Sequence, residues 1–153
     1  MSDGYHKATY GDSEIGFGKN PAVVVVDFQL SFTDSKYPIG GFKHIHKAVD
    51  ETAELLEVAR RCNVPVASCF TGYNSSKDMP YWKIGPVRDD FYYGHECTQM
   101  EPRTSDKNYD FIFCKSAPSI FFNTPATTLF TKNGCDTVIV MGCMTSGCIR
   151  ASV

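Results

Sequence analysis

Apolar runs and helix-spaced segments alternate along the chain. Residues 22–26 are an unbroken apolar run, four of the five being valine, and it ends on Asp27. A run without alternation reads as a strand buried on both faces, which favours a parallel sheet. Residues 28–42 hold Asp34, Pro38, Gly40 and Gly41 and read as loop. Residues 43–62 then place Ile45, Val49, Ala53, Leu55, Leu56 and Ala59 at helical spacing. Asn63 ends this helix, and Pro65 disfavours its continuation. Residues 64–70, 110–115 and 136–141 predict three further strands. Residues 124–133 predict a short helix, with Thr124 as N-cap, Pro125 at the first helical position and Gly134 as its stop. Residues 142–147 read as a tight turn, and residues 148–153 open another helix. This alternation predicts an α/β fold with an open, mostly parallel sheet, a Rossmann-like three-layer α/β/α arrangement with right-handed crossovers.

Two segments do not fit the alternation. Residues 1–20 are polar and Gly-rich and predict an irregular arm ahead of an α/β domain at 21–153. Residues 71–108 form a long polar stretch with Trp82 and several tyrosines. A connection of that length is functional or holds short helices. No apolar run is long enough to span a bilayer. The net charge is −2, with no basic stripe, so nucleic-acid binding has no electrostatic support. Seven cysteines without an export signal predict reduced thiols and a cytoplasmic protein.

The chemistry collects at one end of the predicted sheet. Ligands of open α/β sheets bind beyond the carboxyl ends of the strands. Asp27 follows the first strand, Lys115 ends the third, and Cys148 follows the fourth after the Gly-rich turn. Taken singly, each has a plain explanation: a turn residue, a solvated charge, a small buried hydrophobe. Together they can form a nucleophile, a base and a cation. The thiolate is the reactive form of cysteine, and a helix N-terminus and a neighbouring lysine favour it. Asp27 can take the thiol proton and return it to a leaving amine. The backbone N–H groups of Met144 and Cys148 can hold an oxyanion. Thr145 is a candidate for a substrate carboxylate, and Phe32, Trp82 and Phe121 for apolar walls of a pocket.

These residues lie in three longer stretches: Gly16-Phe-Gly-Lys-Asn-Pro-Ala-Val-Val-Val-Val-Asp-Phe-Gln29, Lys115-Ser-Ala-Pro-Ser-Ile-Phe-Phe122 and Gly142-Cys-Met-Thr-Ser-Gly-Cys-Ile-Arg-Ala-Ser152. The chain resembles the isochorismatase-like cysteine hydrolase superfamily over nearly its whole length. Within it, the chain looks most like the amidohydrolases of N-carbamoylsarcosine and maleamate. The resemblance implies a catalytic triad of Asp27, Lys115 and Cys148, a thioester intermediate and release of ammonia from a small carboxylated amide or N-carbamoyl compound. It also implies a cis peptide between Cys143 and Met144 that aims the Met144 N–H into the oxyanion hole. No cofactor is implied.

Nicotinamidases of this superfamily usually carry an Asp-x-His metal motif after the second strand. Here that stretch reads Ser68-Cys-Phe-Thr-Gly-Tyr73, so no metal site is expected. A nicotinamidase-like hydrolase stays as an alternative. So does a non-catalytic or partner-dependent subunit with a relic triad. A thiol redox pair of Cys143 and Cys148 leaves Asp27 and Lys115 without a role. Superfamily members continue for several strands and helices past the cysteine helix, and this sequence stops at Val153. It is therefore expected to be an N-terminal part of such a domain, inactive or unstable alone. A homo-oligomer or a second chain would complete it.

Overall fold

The computed structural model describes residues 16–153. Its four strands form one parallel sheet: β1 (Pro21–Val26), β2 (Val66–Thr71), β3 (Phe111–Lys115) and β4 (Thr137–Gly142). Their spatial order is β3-β2-β1-β4. The chain steps outward from β1 to β3, then returns to the other side of β1. That reversal makes the gap between β1 and β4 a switch point, where ligands of such sheets bind. This is the open α/β sheet that the alternation of elements predicts.

Side chains of β1 alternate between two cores. Val23 and Val25 pack with Ile45, Val49, Leu56 and Ala59 of α2 (Lys43–Arg61). Ala22, Val24 and Val26 pack on the opposite face with Ala126 and Phe130 of α4 (Ala126–Lys132). With both faces covered, β1 has no polar side, which explains its unbroken valine run. The two helices end alike. Asn63 (φ 56°) and Gly134 (φ 63°) take the left-handed conformation. Val64 and Cys135 then donate to the carbonyls of Ala59 and Phe130. This Schellman closure turns the chain back toward the next strand.

Several boundaries differ from expectation. Residues 28–42 are not wholly loop: α1 (Leu30–Thr33) is a single helical turn, too short to leave a periodicity. The helix after Thr124 begins at Ala126, with Pro125 as the boundary residue, although the Thr124 hydroxyl still accepts the Ala126 N–H at 3.3 Å. Helical winding after β4 begins at Thr145, with a wide turn over Thr145–Ile149 that runs into α5 (Arg150–Ser152). The Met144 carbonyl starts it by accepting from both Gly147 and Ile149. Cys148 thus sits one turn inside the helix instead of at its first position.

Residues 71–108 hold α3 (Gly85–Asp90) and two 3-10 turns, Glu96–Thr98 and Pro102–Thr104. Residues 1–15 of the predicted arm lie outside the described residues. Residues 16–20 form no helix or strand, but Asp136 accepts the N–H groups of Lys19 and Asn20 and ties them to the start of β4. Among the described residues no helix is long and apolar enough to cross a membrane. β4 lies at the sheet edge, with all six residues half-buried.

Candidate active site

The carboxyl ends of three strands deliver the chemistry. Asp27 leaves β1 in the left-handed region (φ 54°), an unusual conformation for a residue other than glycine. Register pairs Thr71 with Lys115 across β2 and β3, and Val26 with Gly142 across β1 and β4. Gly142 is obligatory here. Its φ is 126°, and a β-carbon would collide with the Val26 carbonyl oxygen. That close approach lets Cys143 N–H donate to Val26 O at 2.9 Å and brings the turn over the end of β1.

Asp27, Lys115 and Cys148 meet in space. Lys115 Nζ lies 2.8 Å from Asp27 Oδ2 and 3.3 Å from Cys148 Sγ. It also donates to Thr71 Oγ1 at 2.8 Å and to the Ala117 carbonyl at 3.2 Å. An ammonium has three protons, so four acceptors mean that one proton is shared. The Thr71 hydroxyl passes its own proton to Asp27 Oδ1 at 3.2 Å. Asp27 and Lys115 are both buried, and a buried pair is tolerable only with such additional hydrogen bonds.

Electrostatics set the resting protonation. Burial, then the Asp27 charge, pushes the Cys148 thiol up to about 12 against the pull of Lys115. The thiol therefore rests neutral, opposite to the thiolate expected of a helix start beside a lysine. Desolvation and a neighbouring carboxylate outweigh the lysine here. Burial also works against the Lys115 charge, but the Asp27 carboxylate outweighs it and holds that ammonium above the usual lysine range. The site at rest is an ammonium between a carboxylate and a neutral thiol.

The bond between Cys143 and Met144 is cis. Met144 N–H makes no hydrogen bond among the described residues, so it is a free donor beside the thiol's turn. Thr145 lines a cavity of about 500 Å³ with His44, Cys143 and Met144. Phe32 and Trp82 share an apolar cluster with Tyr73, Val87 and Phe91. Phe121 does not join them: it packs on the other core, its ring 6.3 Å from that of Phe130. Among the described residues, no three His, Cys, Asp or Glu side chains group closely enough to hold a metal ion.

Sequence reasoning missed Thr71 and Gln29. Gln29 is fully buried and clamps the Thr71 backbone, accepting its N–H at 2.7 Å and donating to its carbonyl at 3.3 Å. Their only signal was a polar residue closing β2 and another just past the end of β1.

Comparison with known proteins points the same way. Residues 21–153 match the isochorismatase domain. The chain is 33% identical over 141 residues to maleamate amidohydrolase of Pseudomonas putida, covering 90% of this chain and 66% of that protein. It is 26% identical over 147 residues to N-carbamoylsarcosine amidase of an Arthrobacter species, covering 91% of this chain and 54% of that one. The chain thus spans less than two thirds of either relative. Its fold superposes on a cysteine hydrolase from Pseudomonas syringae with a TM-score of 0.80 at 23% identity, covering 88% of this chain and 64% of that one.

Proposed function

The chain belongs to the isochorismatase family, and from that premise we propose that it is the catalytic part of a cysteine amidohydrolase. The carrying observation is one lysine nitrogen that touches both a buried carboxylate and a half-buried thiol. Asp27 takes the Cys148 proton as the sulfur attacks the amide carbonyl. The carbonyl oxygen becomes an oxyanion facing the free Met144 N–H, with the Cys148 N–H as second donor. The intermediate then collapses. The C–N bond breaks, protonated Asp27 gives its proton to the leaving nitrogen, and ammonia departs from a Cys148 thioester. Water deprotonated by Asp27 next attacks the thioester and releases the acid and the thiol. Lys115 stays charged throughout and offsets the charge on Asp27 or sulfur.

The names of the two curated relatives favour a small carboxylated amide or N-carbamoyl substrate. Ammonia release from maleamate, N-carbamoyl amino acids and biuret tests the reading. Cys148→Ala should lower it by more than about 10³-fold while thermal unfolding stays cooperative. Undiminished release would overturn the nucleophile assignment. A second reading is a partner-dependent subunit, possible because β4 is an edge whose residues are all half-buried. Native mass and specific activity across protein concentration separate the two: activity that appears only in the assembled form favours the second.

A further inference from the structure

We propose that Tyr73 is a specificity-determining residue whose hydroxyl donates a hydrogen bond to the carboxylate of the substrate. The inference rests on the amidohydrolase reading and adds the group that recognises the anionic end. Tyr73 is only 1% exposed, yet its hydroxyl has a single partner. Trp82 Nε1 donates to it at 2.9 Å. A phenol that accepts from an indole N–H keeps its own proton to give. Among the described residues no acceptor takes that proton. A buried donor left unpaired is costly, so such a group points to an acceptor that arrives from outside.

Position says where that acceptor comes to rest. Tyr73 continues the line of β2, held by its N–H to Phe91 O at 2.9 Å and by Tyr93 N–H to its carbonyl at 2.8 Å. Thr71 and Tyr73 are two residues apart on extended chain, so their side chains leave on the same side. The Thr71 hydroxyl touches Asp27 and Lys115. Burial raises the Tyr73 titration above the ordinary tyrosine value, against the hydrogen bond from Trp82, and the Lys115 and Asp27 charges also bear on its hydroxyl. Val87, Phe91, Phe32 and Trp82 surround the ring with apolar surface. In so dry a setting, a donor polarised by a second donor favours an anionic oxygen over a neutral one. The Tyr73–Trp82 pair is thus built to accept a carboxylate near the thiol, while the amide end meets Cys148.

Two alkylating reagents of nearly equal size test this without relying on turnover. Iodoacetate carries a carboxylate and iodoacetamide a neutral amide, and each loses iodide to the Cys148 sulfur. Rates at Cys148 are read by peptide mass spectrometry on the full chain. Tyr73→Phe should lower the iodoacetate-to-iodoacetamide rate ratio about tenfold, as expected for a lost hydrogen bond to a charged group. Trp82→Phe keeps the Tyr73 hydroxyl and should lower it about twofold to threefold. It also carries the test should Tyr73→Phe fail to fold. An unchanged ratio in the folded variants overturns the proposal, and so does an equal slowing of both reagents. If wild-type protein releases no ammonia from any amide, the amidohydrolase reading fails while the ratio still decides the role of Tyr73.

Discussion

Two buried carboxylates of this chain each hold a cation, and they do different work. Asp110 is gripped by Arg60 through a fork, Nε to Oδ1 at 3.0 Å and Nη2 to Oδ2 at 2.6 Å, and it also accepts the Asp106 N–H at 2.8 Å. That set is closed. The planar guanidinium matches the carboxylate with two parallel hydrogen bonds. It pins α2 to the start of β3. Asp27 is held by Lys115 instead, a compact charge whose protons radiate, and one of them reaches a thiol. A fork closes a carboxylate off; a point charge shares it with a thiol. The same pairing of charges is thus closed at the amino ends of the strands and, in the proposed function, serves the chemistry at their carboxyl ends.

Removing each carboxylate should separate the two sites. Asp27→Asn should cut ammonia release by about 10³-fold at an unchanged far-ultraviolet circular dichroism spectrum, since it removes the proton acceptor but not the volume. A loss under tenfold would show that another group serves as base. Asp110→Ala leaves the half-buried Arg60 without its partner and should cost about 2 kcal/mol in urea unfolding. The specific activity of its folded fraction should stay near wild type. If that activity collapses instead, the division between the two pairs is mistaken.

Gly142→Ala tests what aligns the reactive end. A methyl group there collides with the Val26 carbonyl and meets a strained φ, so a loss of about 1–3 kcal/mol is expected by thermal denaturation. Activity should fall with it, because the turn carrying Met144 and Cys148 must shift. A neutral substitution would mean that this turn is looser than the close approach implies.

A further effect concerns pH. Folding raises the Cys148 titration from 9.0 to about 12, so the unfolded chain loses its thiol proton first. The native state binds more protons above pH 9, and its stability must fall as pH rises from 9 toward 12. The raised Lys115 titration acts in the same direction. Stability profiles should therefore decline more steeply for wild type than for Cys148→Ala above pH 9. Parallel profiles would contradict the neutral resting thiol.

The strands and the meeting of Asp27, Lys115 and Cys148 were legible because they rest on local pattern. A valine run needs no knowledge of its neighbours to read as buried on both faces, and Asp27, Lys115 and Cys148 follow from where such runs stop. The placement of Thr71, Gln29 and Tyr73 was not legible. Their roles depend on register, which pairs Thr71 with Lys115, and on a loop that folds Trp82 back onto Tyr73. Nor does the sequence show which core Phe121 joins, since proximity to Lys115 along the chain says nothing of which face its ring takes. The thiol's protonation was missed because helix position and a nearby lysine are visible in sequence, whereas burial is not.

The central claim is that Cys148 carries the acyl group. Acid quenching during turnover of an accepted amide, followed by intact-mass measurement, tests it most directly. The account predicts a mass increase equal to the acyl fragment, located on the peptide containing Cys148, discharged by hydroxylamine and absent in Cys148→Ala. Ammonia release with the adduct on a different residue would contradict it.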